Sequence, residues 1–263
     1  IPHILSVDIK KRLKESSKFI FPRNCPSCGS KTIKEFNLIT KKKDAVRRCT
    51  SEGYECEKIA IEKLKHFVSK DAFNIDGFGK KIVENFWNLE LLKLPQDIFQ
   101  LDYSKIELLE GWGKQSVENL KYSINEKKNI DLERFIYSLG IRHIGLENAK
   151  ILSKHFRSFS KFQLLSINNN YDDLLNIDGI GETQINSIKN FFSNKINVLV
   201  LDKLGEILNI IDKAGEKKGG LLKDKTFMLT GKLNGISRAE AKSLIEENSG
   251  ITVSSVTKKL NYL

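Results

Sequence analysis

The stretch NIDGFGKK at residues 74–81 returns, almost letter for letter, as NIDGIGET at residues 176–183. Aligning both on the second glycine brings two further members into register. Residues 75–79 read IDGFG, 109–113 LEGWG, 141–145 IRHIG and 177–181 IDGIG. The pattern is apolar, polar, glycine, apolar, glycine, with His143 replacing the first glycine once. The second glycines are Gly79, Gly113, Gly145 and Gly181, spaced 34, 32 and 36 residues apart. That is the period of a repeated supersecondary unit. Four and seven residues beyond each glycine stand Val83 and Phe86, Val117 and Leu120, Ala149 and Leu152, Ile185 and Ile188. All are apolar at helical spacing, so a helix begins at each glycine and buries the same face. IAIEKLKHFV (59–68) and LERFIYSLG (132–140) form apolar-periodic stretches before the first and third turns. The unit is helix, tight glycine turn, helix.

Such a turn favours phosphate. The first N–H groups of a helix have no intrahelical acceptor, and the helix dipole puts partial positive charge there. Glycines remove the side chains that would hold a phosphate oxygen away from the backbone. The candidate contacts are Gly77, Gly79, Lys80 and Lys81, then Gly111, Gly113 and Lys114. Arg142, His143 and Gly145 follow in the third unit, and Gly179 and Gly181 in the fourth. Phe78, Trp112, Ile144 and Ile180 are expected to plug each turn into its own core. Glu182 opposes a phosphate, so the fourth unit is expected to be weaker or mainly structural. The competing reading is that each turn simply joins two packed helices. His143 has no catalytic partner that the sequence identifies, so it is read as a packing or phosphate-contact residue.

All four cysteines lie within residues 25–56, as Cys25-x2-Cys28, twenty residues, then Cys49-x6-Cys56. Four thiolates suit a tetrahedral zinc ion and leave no open position, so a structural site with one ion is expected. Free thiols or disulfides are the alternatives; a cytosolic setting disfavours disulfides. TIKEFNLI and AVRRC read as two short strands joined by TKKKD, a ribbon-like hairpin whose metal substitutes for a core. Lys41, Lys42 and Lys43 at the tip, with Arg47 and Arg48, either meet phosphates or form a solvated loop.

The 263 residues carry a net charge of +11, unevenly placed. Residues 1–81 hold +9 and residues 82–263 only +2. A basic N-terminal third points to a polyanion, most plausibly nucleic acid. No run of 18 apolar residues exists, so no membrane span is expected. The first residue is Ile, and the chain reads as a piece of a longer protein.

The helix-hairpin-helix family is similar to these units, and its members bind DNA through the backbone along the minor groove. Four in tandem after a four-cysteine module resemble the C-terminal half of bacterial NAD-dependent DNA ligase. FPRNCPSCGS (21–30), HFVSKDAFNIDGFG (66–79) and LGIRHIG (139–145) are close to that family's wording. The resemblance implies a mainly α, multidomain chain. Residues 1–20 would end an OB-fold domain, with IPHILSVDIKKRL as its last strand, and 21–56 would be a four-cysteine zinc finger or ribbon. Residues 57–213 would be the tandem helix-hairpin-helix domain, and 214–263 a linker and an incomplete α/β BRCT domain. In that last part AGEKKGG (214–220) is a linker, and TFMLTGKL, ITVSSV and KKLNYL are strands. A helix lies between the first two, with Ser237 and Glu240 as a capping box and Gly250 past its end. Thr230 and Gly231 are either a phosphate contact or a plain strand-end turn.

The resemblance also implies a parent enzyme that seals nicks in duplex DNA during replication and repair. Its lysine would take AMP from NAD, and its K-x-D-G motif is missing here. The two Asp-Gly pairs, Asp76-Gly77 and Asp178-Gly179, have Asn74 and Asn176 where the lysine would stand. NAD and magnesium are thus expected outside this chain, which alone would bind DNA without sealing it. The expected partners are nicked double-stranded DNA and the parent's N-terminal adenylation and OB domains. A monomer in the bacterial cytoplasm, associated with the nucleoid, is expected. The alternatives are a non-catalytic helix-hairpin-helix repair module and an inactive split-gene fragment.

Overall fold

The computed structural model describes residues 5–37, 40–168, 171–212, 220–223, 225–231, 241–242, 244–245, 248–253 and 260–263. The chain divides into two compact units, residues 1–62 and 63–263.

The first unit is built on a two-part hairpin. β1 (Thr32–Ile33) and β2 (Phe36–Asn37) form its outgoing arm, and β3 (Lys42–Lys43) and β4 (Arg48–Cys49) its return. β1 pairs antiparallel with β4, and β2 with β3, in the registers Thr32↔Cys49 and Phe36↔Lys43. The expected hairpin is present, but its return arm starts earlier. Lys42 and Lys43 are in the ladder rather than at the tip; Lys41 makes the turn, at φ 52°. Upstream, residues 5–20 contain one 3-10 turn, Ile9–Lys11, and no strand among the described residues. The expected terminal strand is therefore not seen over its described residues, 5–13.

The second unit is helical. α1 (Glu57–Phe67) begins in the first unit and ends in the second. It is followed by α2 (Lys80–Asn88), a 3-10 turn at Pro95–Gln100, α3 (Tyr103–Glu107) and α4 (Lys114–Glu126). β5 (Asn129–Asp131), α5 (Leu132–Ser138), α6 (Leu146–Phe156), α7 (Phe159–Gln163) and α8 (Leu165–Asn168) come next. A 3-10 turn at Asp172–Asn176 leads to α9 (Glu182–Ser193), α10 (Lys195–Ile207) and β6 (Asn209–Ile211), which pairs parallel with β5. Helices α2, α4, α6 and α9 start one residue after the four repeated glycines. Their eight predicted core residues, from Val83 and Phe86 to Ile185 and Ile188, are all buried. Three of the four plug residues are buried too: Phe78, Ile144 and Ile180. Trp112 departs from that expectation. It is half-exposed and leans on Phe86 of α2, 5.5 Å between ring centroids, so it joins two repeats rather than filling one.

Further contacts tie the repeats together. Arg134 of α5 donates to the carbonyls of Ala72 (2.6 and 2.9 Å) and Lys70 (3.0 Å), in the loop after α1. His66 of α1 hydrogen-bonds the Tyr137 carbonyl at 2.8 Å and packs edge-on against its ring.

Near the C-terminus β7 (Thr226–Phe227) pairs parallel with β8 (Ile251–Thr252), and Tyr262 bridges Phe227 on the other side. A parallel pair needs a crossover, and residues 241–242 and 244–245 are helical. The first, second and third expected strands are thus seen in part. At the helix end Ser249, not Gly250, takes the left-handed conformation (φ 66°). Gly250 is needed for closeness instead, since a Cβ there would lie 2.7 Å from Ile245 Cγ2. Most of the linker, the Ser237–Glu240 capping box and residues 1–4 lie outside the described residues.

Candidate nucleic-acid interface and metal centre

The four turns share one geometry. In each, the N–H of the plug residue donates to the carbonyl three residues back. The bonds are Phe78 to Ile75 (3.2 Å), Trp112 to Leu109, Ile144 to Ile141 and Ile180 to Ile177 (3.1 Å each). The third residue of each turn has positive φ: Gly77 76°, Gly111 81°, His143 60° and Gly179 88°. Asp76, Glu110, Arg142 and Asp178 before them do not, which makes these type II turns and explains the glycine. For His143 the same conformation costs roughly 1–2 kcal/mol. Two contacts hold it there. Asn148 Nδ2 donates to its carbonyl at 3.0 Å, and its Nδ1 lies 2.9 Å from Ser187 Oγ on α9. Because the Ser187 hydroxyl donates to the Thr183 carbonyl, it accepts from His143, so Nδ1 carries the proton. His143 therefore braces the third turn against the fourth repeat, which supports its reading as a packing residue.

The second glycine of each motif is the N-cap of the following helix and is exposed. No side chain caps α2, α4 or α6. A Cβ built on Gly79, Gly113 or Gly145 would meet nothing within 4 Å, and all three glycines are exposed, so nothing crowds these helix starts. Lys80, Lys81 and Lys114 are exposed at the first turns of α2 and α4. The third helix starts instead with Leu146 and Glu147, so its positive charge comes from Arg142 in the turn. The fourth differs again: Gln184 Oε1 accepts from the Gly181 N–H at 3.3 Å. Gln184 occupies the third helical position, from which a Gln reaches back to the N-cap. The equivalent residues are Ile82, Ser116 and Asn148. This internal cap was legible in the spacing, but the turn glycines alone do not reveal it.

The four cysteine sulfurs lie within 4.8 Å of one another. Cys28 and Cys49 are 3.4 Å apart and Cys25 and Cys56 3.9 Å, both far beyond a disulfide bond. A tetrahedral zinc with sulfur at about 2.3 Å needs sulfur pairs about 3.8 Å apart. The set therefore fits such an ion. Gly29 (φ 76°) closes the first knuckle, its N–H on the Cys25 carbonyl at 2.8 Å. Hydrogen bonds from Ser30 and then Ser51 hold the Cys28 thiol down at about 5, towards the thiolate a metal binds. The wide x6 spacing also has a cause. Cys49 ends β4, Gly53 turns the chain at φ 56°, and the Cys56 backbone carbonyl accepts from the Ala60 N–H. The fourth cysteine thus immediately precedes the N-terminus of α1, where negative charge is favoured.

The basic tip is partly spent. Arg47 donates to the Thr32 carbonyl (2.6 Å) and hydroxyl (2.9 Å), and Arg48 pairs with Asp44 at 3.3 Å. These contacts help hold the hairpin together. Among the described residues no helix is long and apolar enough to cross a membrane.

Four glycine-started hairpins and a thiolate cluster able to hold a metal define a tandem helix-hairpin-helix protein with a small zinc-binding module. A family model described as the helix-hairpin-helix motif matches residues 134–201. The chain is 70% identical over its full length to the DNA ligase of Pelagibacter ubique. It is 41% identical, again over its full length, to the DNA ligase of Ehrlichia canis. Against the DNA ligase of Rickettsia canadensis it is 42% identical over 94% of its length. It is similar to the portion of these bacterial DNA ligases that it aligns with. It spans 37–39% of the length of these relatives.

Proposed function

We propose that this chain is the DNA-gripping portion of an NAD-dependent DNA ligase that seals nicks during replication and repair. The observation that carries the reading is the set of three uncapped, sterically open helix N-termini at Gly79, Gly113 and Gly145. Their amides, with Lys80, Lys81, Lys114 and Arg142, would hold phosphates along the minor groove without reading bases. Gly77 and Gly111 give those turns their shape. Gly179 and Gly181 belong to the weakest of the four grips. Cys25, Cys28, Cys49 and Cys56 would hold one zinc ion that substitutes for a core in the ribbon. The adenylation site, with its NAD and magnesium, would lie in preceding domains of the parent, and this chain alone would not seal a nick. A monomer acting at the nucleoid, in the cytoplasm, suits that role. The domain limits expected from sequence, including OB-fold and BRCT ends, remain part of this reading.

The test is fluorescence anisotropy with nicked and intact duplexes over a range of salt. Four cations, each neutralising one phosphate, give a log–log salt slope of about −3.6, or a loss of roughly 150-fold between 50 and 200 mM. No binding, or binding indifferent to salt, would overturn the proposal. Adenylation of the isolated chain by NAD, seen by mass spectrometry, would overturn the placement of the adenylation site.

A further inference from the structure

We propose that Leu108 is an apolar contact to the deoxyribose wall of the minor groove, beside the phosphate gripped by the second hairpin. The inference rests on the DNA-binding reading above. Leu108 caps the C-terminus of α3, its N–H on the Lys105 carbonyl at 3.3 Å, three residues before Gly111. The residue is 86% exposed. The hairpin does not need it for packing, because Ile106 is fully buried and Leu109 half-buried.

The corresponding residues of the other hairpins are Asn74, Gly140 and Asn176. Asn74 and Gly140 have φ 50° and 62°, where a leucine would be strained. At Leu108 the backbone is right-handed (φ −82°, ψ −7°), so a large side chain is accommodated without strain. The only large apolar residue at this position therefore sits where the backbone admits one, yet it faces water.

What surrounds it identifies its partner. Gly111 and Gly113 are open to solvent, and Lys114 begins α4. A phosphate held at the Gly113 amide would place its own sugar next to the turn. Phosphate oxygens offer a leucine nothing, and base edges are read by polar groups. The C–H faces of the deoxyribose are the apolar surface available beside a phosphate. An apolar contact neutralises no phosphate and releases no counterion, so its contribution does not change with salt.

The experiment measures binding of the full chain to nicked duplex by anisotropy at two salt concentrations. The variants are Leu108→Ala, Leu108→Met and Lys114→Ala, with melting curves for each. Leu108→Ala is expected to lose affinity by about 3- to 10-fold, by the same factor at both salts, with unchanged melting. Leu108→Met should keep wild-type affinity, and Lys114→Ala should flatten the salt slope by about one. If the wild type binds and Lys114→Ala weakens it, but Leu108→Ala binds as wild type, the Leu108 inference falls and the DNA reading stands. A Leu108→Ala loss that varies with salt also overturns it. If the wild type does not bind nicked duplex, the DNA reading itself fails.

Discussion

Placing one carboxylate on each hairpin in turn ranks the four grips. Gly79→Asp and Gly181→Asp are the informative pair. Gly79 has φ −76° and open space around its Cβ position, so Asp fits without strain. Asp is also a good N-cap, and the folded state should gain a few tenths of a kcal/mol. The effect on DNA is opposite. A carboxylate about 5 Å from a phosphate repels it by about 0.8 kcal/mol in a water-like dielectric and about 3.3 kcal/mol at an effective dielectric of 20. The side chain also occupies the amides that phosphate would use. An affinity loss of roughly 10- to 30-fold lies within those limits. At Gly181 the amide is already taken by Gln184, and Glu182 stands beside it. The same substitution there should change affinity by less than about 2-fold. Anisotropy with a nicked duplex near 0.1 M salt reads both, with melting temperatures as the check on stability. If Gly181→Asp weakens binding as much as Gly79→Asp at equal stability, the ranking by helix-start exposure is wrong.

Arg134→Ala removes three charge-assisted hydrogen bonds to Ala72 and Lys70 and should cost about 2 kcal/mol in urea unfolding. Arg134→Lys should recover less than half, because one ammonium cannot reproduce the guanidinium fork. His143→Ala keeps the left-handed strain and loses the Ser187 bond, so it should destabilise by about 1 kcal/mol. His143→Gly relieves the strain as well and should be nearly neutral; equal losses for both would refute the strain argument. Cys28→Ser should release zinc, measured as about one ion per chain in the wild type, and broaden NMR signals of residues 22–56 while those of α5 and α6 persist.

The repeat was legible because its chemistry is local. A type II turn demands a residue tolerant of positive φ, and the helix behind it demands apolar residues four and seven positions on. His143 could be placed in the series by those neighbours, and its φ of 60° shows that it takes the glycine conformation. The cysteine spacing likewise revealed a four-thiolate site. What stayed hidden depends on partners distant in sequence. Arg134 reaches back 62 residues to Ala72, and Ser187 lies 44 residues from His143. Trp112 looked like a plug because its spacing matches Phe78, but it stays half-exposed while resting on Phe86 of the preceding repeat. Lys42 and Lys43 looked like a loop because charge obscures strand pairing, which backbone groups alone make. The position of Cys56 immediately before a helix required knowing where α1 begins.

The residue three places beyond each glycine behaves as a dial. Gln184 fills the last helix start with its own amide oxygen, whereas Ile82 at the same place in the first leaves it empty. Neither choice disturbs the buried stripe behind it, since Val83, Phe86, Ile185 and Ile188 all point inward regardless. Architecture and adhesion are therefore written in different letters of the same repeat. If the open helix starts grip phosphate as proposed, such an array can keep one copy as scaffold with its helix start filled from within, and with no new fold.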